Sequence, residues 1–178
     1  MVLHAMIDLE TLDTKPSSQI LSLGAVKFNA LSNEEPYSDL YLKPDIDQQN
    51  KKGRTTSEST IEWWDKQDPL IKEEAFSSKG RMDIETMLDH LTEWLVGVDT
   101  IWGHGYGFDI SILDDLYRNW DRPIPWNFWQ IKDSRTLFSC CKEDPRKSMQ
   151  SDLHNALSDA YYQAKSVQVA YKELGVKR

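Results

Sequence analysis

The order of its hydrophobic periods constrains this chain most: strand-like runs come first, and helical spacing dominates later. Ala5 to Glu10 is a short apolar run ending in acids. Ile20 to Asn29 is a longer run that contains Gly24, and Tyr37 to Leu42 is bounded by Pro36 and Pro44. Short apolar runs between turn residues predict strands, and three in succession predict an antiparallel meander. Further on, Ser59 and Glu62 have capping-box spacing around Ile61, Trp63 and Trp64, and Met87, Leu88, Leu91, Trp94 and Leu95 form a helical stripe closed by Gly97. Thr100 to Trp102 predicts a buried strand, followed by a glycine-rich turn and a helix from about Phe108 to Trp120. Phe128 to Ile131 predicts a further strand or extended segment. In the last helix Leu157, Ala160, Ala164, Val167, Tyr171 and Leu174 recur three and four residues apart, and Gly175 ends the run. A meander followed by alternating helices and strands predicts an α/β domain with a mixed sheet covered by helices. Asp47 to Ser57 has no hydrophobic period and predicts a mobile loop carrying Lys51, Lys52 and Arg54.

A length of 178 residues fits one domain spanning 1–178, with a core that needs no disulfide. Val2 to Ile7, the apolar run nearest the start, is too short for a signal sequence or a membrane span, so no membrane association is expected. Cys140 and Cys141 are adjacent, a poor geometry for a structural disulfide, and neither has a metal-ligand spacing. These features predict a cytoplasmic protein. With 29 acidic against 21 basic residues and a net charge of −8, the global field does not attract a polyanion. Carboxylates that bind divalent ions would reverse that sign locally.

Three groups of acids stand at element ends. Asp8 and Glu10 are two apart on one strand and project from the same face, where they repel each other unless a cation lies between them. Asp109 follows the turn Gly103-His104-Gly105-Tyr106-Gly107-Phe108, at the start of a helix. His154 precedes the final helix, and Asp159 lies about one turn inside it. Alone, each group has an ordinary explanation: solvated acids, an N-cap aspartate, a surface histidine.

Together, Asp8-x-Glu10, Phe108-Asp109 with Leu113, and His154-x-Ala156-x-x-Asp159 resemble the three motifs of the DnaQ-like, DEDDh 3′-5′ exonucleases, over residues 8 to 159. Trp63-Trp64 followed by Gln67 is similar to a small phage and prokaryotic branch that includes the phage exonuclease DexA and bacterial exoribonuclease-like relatives. One departure is that His104 or Gly105 stands where many relatives carry Asn.

The resemblance implies a ribonuclease H-like fold, with a mixed five-stranded sheet flanked by helices. It implies two divalent ions, Mg²⁺ or Mn²⁺, held by Asp8, Glu10, Asp109 and Asp159. His154 would accept a proton from the attacking water, and the products would be nucleoside 5′-monophosphates. The partner would be DNA or RNA with a free 3′ end, in the host cytoplasm if the chain is of phage origin. The resemblance also allows a homodimer. Substrate contacts are expected from Leu9, Thr11, Leu12, Trp63, Trp64, Gln67 and Phe108, the two tryptophans not being separable. Upstream phosphates would meet Lys51, Lys52 and Arg54, or Lys142, Arg146 and Lys147, while Asp133 and Arg135 would pair or cap locally. Other readings are a metal-dependent phosphohydrolase of nucleotides or dinucleotides, a non-catalytic nucleic-acid-binding relative, and an interaction module with incidental acids.

Overall fold

The computed structural model describes residues 2–105, 107–149 and 154–177. In chain order it runs β1 (His4–Thr11), β2 (Ile20–Phe28), β3 (Tyr37–Pro44), α1 (Ile46–Lys51), α2 (Glu58–Trp64), α3 (Pro69–Phe76), β4 (Arg81–Met82) and α4 (Ile84–Trp94). There follow β5 (Thr100–Gly103), α5 (Asp109–Asn119), β6 (Ile131–Asp133), α6 (Ser134–Ser139) and α7 (Ala156–Glu173). Among the described residues the sheet has six strands in the order β4-β3-β2-β1-β5-β6. The meander is antiparallel, whereas β5 runs parallel to β1, β6 parallel to β5, and β4 parallel to the end of β3. The mixed α/β architecture is the one expected. The sixth strand is β4, two residues that extend the edge of the sheet beside Lys43 and Pro44.

Side-chain alternation along β1 divides the core. Ala5, Ile7 and Leu9 join Met87, Leu88 and Leu91 of α4 and Ile110, Leu113 and Leu116 of α5 on one face. Met6 turns to the other face, with Val26, Trp102 and the Ala160, Ala164 and Val167 stripe of α7. Asp8 and Glu10 therefore emerge on the α7 side.

Gly24 lets α7 approach that closely. It pairs with Asp8 across β1 and β2, and a Cβ on it would lie 2.1 Å from Ala156 C and Leu157 N. The first turn of α7 rests on bare β2 backbone, and one turn later Asp159 reaches the end of β1.

Several local expectations are corrected. The predicted mobile loop contains α1, capped by Asp45, whose carboxylate accepts the Gln48 N–H at 2.7 Å. Its periodicity was invisible because the buried residue is Gln49, whose amide pairs with both Ile20 N (2.8 Å) and Ile20 O (3.0 Å) as a strand would. Ser57, not Ser59, caps α2. The expectation lacked α3, a short helix of Pro69–Phe76 that Asp68 caps and Pro69 opens. Phe128 and Trp129 form a 3₁₀ turn before β6 and are 81% and 64% exposed, not a strand. Among the described residues no helix is long and apolar enough to cross a membrane.

Candidate active site

Asp109 shows how the backbone builds the site. It is the first residue of α5, whose N-cap position, Phe108, makes no side-chain capping bond. The Asp109 carboxylate is buried and accepts N–H groups from Leu9 (Oδ1, 3.2 Å) and His104 (Oδ2, 3.2 Å). It thus ties the end of β1 to the turn after β5. Gly103 leaves the necessary room, since a Cβ there would lie 3.2 Å from Asp109 Oδ2.

Asp159 and His154 arrive from the other side. His154 sits at φ 66, and its N–H donates to Asp159 Oδ2 at 3.1 Å, while Asn155 caps α7 by accepting the Ser158 N–H. Ligand atoms of Glu10, His154 and Asp159 lie within 4.8 Å of one another. Asp8 accepts a hydrogen bond from Gln163 Nε2 at 2.8 Å. Gln163 was not singled out in the sequence, although it lies one turn beyond Asp159 on the same helical face. Its Oε1 is buried without a partner among the described residues.

These acids oppose one another's ionisation. Burial raises Asp8 well above the usual carboxylate range, and Asp109, Glu10 and Asp159 raise it further. Burial, then Asp159 and Asp109, push Glu10 up to about 8. Burial raises Asp109 to about 7 against its two backbone donors, and raises Asp159 to about 6. Burial lowers His154, favouring neutral imidazole. Carboxylates that resist ionising together form a hard oxygen donor set suited to Mg²⁺ or Mn²⁺. Glu10, Asp159 and Asp8 fit as holders of such ions, with Asp109 beside them.

A cleft of about 600 Å³ opens beside the acids, lined by Leu9, Glu10, Thr11, Trp63, Phe108, Arg135 and His154 among others. The two tryptophans now separate. Trp63 is exposed at the cleft and packs edge-on to the His154 ring, with centroids 4.7 Å apart. Trp64 is buried, with Nε1 donating to Thr11 O at 2.9 Å, and packs with Leu12, Leu21 and Ala75. Trp64 and Leu12 are therefore core residues and not part of the cleft wall. Gln67 donates to Trp63 O at 2.9 Å and does not line the cleft.

The basic loop is also corrected. Arg54 is buried, bonding Ser18 O and Pro16 O and pairing with Asp115 at 2.9 Å, and Lys52 Nζ donates to Asn119 O. At the point of departure from the resemblance, Arg146 donates to His104 Nε2 at 2.7 Å. Arginine only donates, so Nδ1 carries the proton and donates to Ser134 Oγ at 2.9 Å, and Ser134 passes a hydrogen bond to Gly103 O. Burial, with Arg146 and Arg135 nearby, lowers His104 to about 4 and keeps it neutral.

Solved structures with the same fold include E. coli Exonuclease I in complex with a dT13 oligonucleotide (TM-score 0.69, 12% identity, 98% of this chain and 42% of that one). The moderately thermophilic Exonuclease I from Methylocaldum szegediense is similar, with a TM-score of 0.68 at 12% identity over 99% of this chain and 42% of that one. Cell-death related nuclease 4 (CRN-4) gives a TM-score of 0.65 at 13% identity, covering 97% of this chain and 64% of that one. The chain thus spans less than half the length of the Exonuclease I chains, and the likeness is one of ribonuclease H-like fold. No curated protein matches the sequence. Residues 3–171 match the family model described as the 3′-5′ exoribonuclease Rv2179c-like domain, and with DnaQ-like motifs on an exonuclease fold the chain belongs to this family of 3′-5′ exonucleases.

Proposed function

We propose that the chain hydrolyses the terminal phosphodiester at the 3′ end of a single strand of RNA or DNA with the help of divalent ions, releasing nucleoside 5′-monophosphates. The observation that carries this reading is the convergence of Asp8, Glu10, Asp109, Asp159 and His154, from three distant stretches of sequence, beside a cleft walled by an exposed tryptophan.

Glu10, Asp159 and Asp8 would hold Mg²⁺ or Mn²⁺, and Asp109 would contribute directly or through water. When bound, a pair of such ions stabilises the attacking and leaving oxygens of an in-line displacement. His154, neutral and at the cleft wall, takes the proton of the attacking water as a new P–O bond forms. The bond from phosphorus to the 3′-oxygen of the penultimate nucleotide breaks, and that oxygen leaves as an alkoxide that takes a proton from solvent to become the new 3′-hydroxyl. Trp63, Phe108 and Leu9 offer apolar surface to the terminal nucleotide, and a base stacked on an aromatic is worth roughly 1–3 kcal/mol.

The test is a time course on a short single-stranded RNA and the matching DNA with Mg²⁺, Mn²⁺ or EDTA, comparing the native chain with Asp8→Ala and His154→Ala. The expected result is a ladder shortening from the 3′ end that EDTA and either substitution abolish, with the faster strand identifying the preferred sugar. Hydrolysis confined to mononucleotides or dinucleotides would replace this reading with the small-substrate phosphohydrolase.

A further inference from the structure

Arg135 lies outside the three DnaQ-like motifs in the sequence. Asp133 anchors its backbone, accepting the N–H groups of Arg135 and Gly105 at 3.0 Å each and the Thr136 hydroxyl at 2.6 Å. The expected capping by Asp133 is present, but the Arg135 side chain does not return to Asp133. It extends over Gly105, where a Cβ would lie 3.7–3.8 Å from the guanidinium, and donates one long bond to His104 O at 3.4 Å. Among the described residues no carboxylate stands within ion-pairing distance of it, whereas Arg54, Arg122 and Arg146 each have one.

Its position supplies a reason for an unpaired cation in so acidic a chain. Arg135 borders the catalytic cleft together with Glu10, Trp63 and His154. It also borders a neighbouring cavity of about 430 Å³, where Lys142, Arg146 and Lys147 join it against Glu143 and Asp144. Arg146 is committed to Asp144 and His104. Arg135 keeps its planar donor fork, the geometry that matches a phosphate.

Resting on the exonuclease reading, we propose that Arg135 is a specificity-determining residue that binds the phosphate next upstream of the scissile one, selecting a strand over a mononucleotide. A 3′ end seated against Trp63 then continues past Arg135 along the cationic wall of the second cavity.

The experiment compares Arg135→Ala and Arg135→Lys with the native chain on two substrates. One is a single-stranded oligonucleotide of the preferred sugar. The other is the p-nitrophenyl ester of thymidine 5′-monophosphate, which has a scissile phosphate and no upstream one. Arg135→Ala is expected to raise KM for the oligonucleotide about tenfold with a much smaller change in kcat, and to lower the salt slope of log KM by about 0.7, as for one lost single-strand phosphate contact. The loss in kcat/KM on the oligonucleotide should exceed that on the ester by about tenfold, with partial recovery in Arg135→Lys, which keeps the charge without the fork. Equal losses on both substrates would overturn the proposal in favour of a contact to the scissile phosphate, and an unchanged salt slope would overturn it in favour of a structural role. A native chain that cleaves the ester but shortens no oligonucleotide would sink the exonuclease reading itself. Normal oligonucleotide kinetics in Arg135→Ala would remove only the role of Arg135.

Discussion

Trp63 and Trp64 are adjacent on α2, so their side chains leave the helix about 100° apart, and only one can face the core. Trp64 fills the cluster with Leu12 and Leu21, while Trp63 stands at the cleft against His154. Truncation should therefore separate stability from activity. Trp64→Ala is expected to cost about 3–5 kcal/mol in urea unfolding, the range for a buried aromatic. Trp63→Ala should change stability by less than about 1 kcal/mol while raising KM for an oligonucleotide about tenfold or more, as the loss of one stacked base implies. A comparable loss of stability in both variants would contradict the division. Gln163 makes a second prediction at this scale. Its Nε2 donates to Asp8, and if Asp8 holds an ion as proposed, loss of such a partner should weaken affinity by roughly 10–100-fold. Gln163→Leu should show that loss in a calorimetric Mn²⁺ titration without substrate.

At the scale of elements, the placement of Asp159 beside Asp8 and Glu10 depends on how closely α7 meets β2. Gly24→Ala puts a methyl 2.1 Å from the backbone of Ala156 and Leu157, and backbone cannot turn aside as a side chain can. The helix must lift. The expected outcome is a folded protein by circular dichroism, destabilised by about 1–3 kcal/mol as in other overpacked sites, with exonuclease activity reduced by about 100-fold or more, since misplacement of reacting groups by about 1 Å has that effect. Near-native activity would mean that α7 tolerates the displacement. On the opposite face, Leu88 is fully buried among the α4 and α5 contacts. Its place across the sheet from α7 makes Leu88→Ala a control that lowers stability with little change in KM.

For the whole molecule, the concentration of acids at one end of the sheet governs how stability depends on pH. Asp8, Glu10, Asp109 and Asp159 all have folded-state values raised above those of ordinary carboxyls. Between about pH 4 and 8 the folded chain therefore holds more protons at these groups than the unfolded chain, and their contribution to stability, full below the ordinary carboxylate range, is lost as pH rises. In EDTA, Tm should fall as pH increases from about 5 to 8. Divalent ions held by the folded site, as proposed, would offset the loss by about 2.7 kcal/mol at 100 times Kd. Differential scanning calorimetry with and without Mg²⁺ checks both arms, and a Tm that rises with pH in EDTA would contradict the electrostatics of the site.

The sequence by itself determined the meander, the stripes of α4 and α7, and the acids at element ends, because each is written in periods or spacings along a few neighbouring residues. Asp8, Glu10, Asp109, His154 and Asp159 stand out in the sequence only as an ordered set that resembles the DnaQ-like motifs, since each alone has an ordinary explanation. Tertiary structure decided what depends on contacts between distant segments. Polar helix α1 is held by the amide of Gln49 on β2, and Arg54 is drawn inward by the carbonyls of Pro16 and Ser18, neither of which leaves a hydrophobic period to read. The same holds for the choice between Trp63 and Trp64, the hydrogen bond from Gln163 to Asp8 and the position of Arg135 between two cavities. Spacing fixes which side chains share a face of an element, but only packing fixes what that face meets.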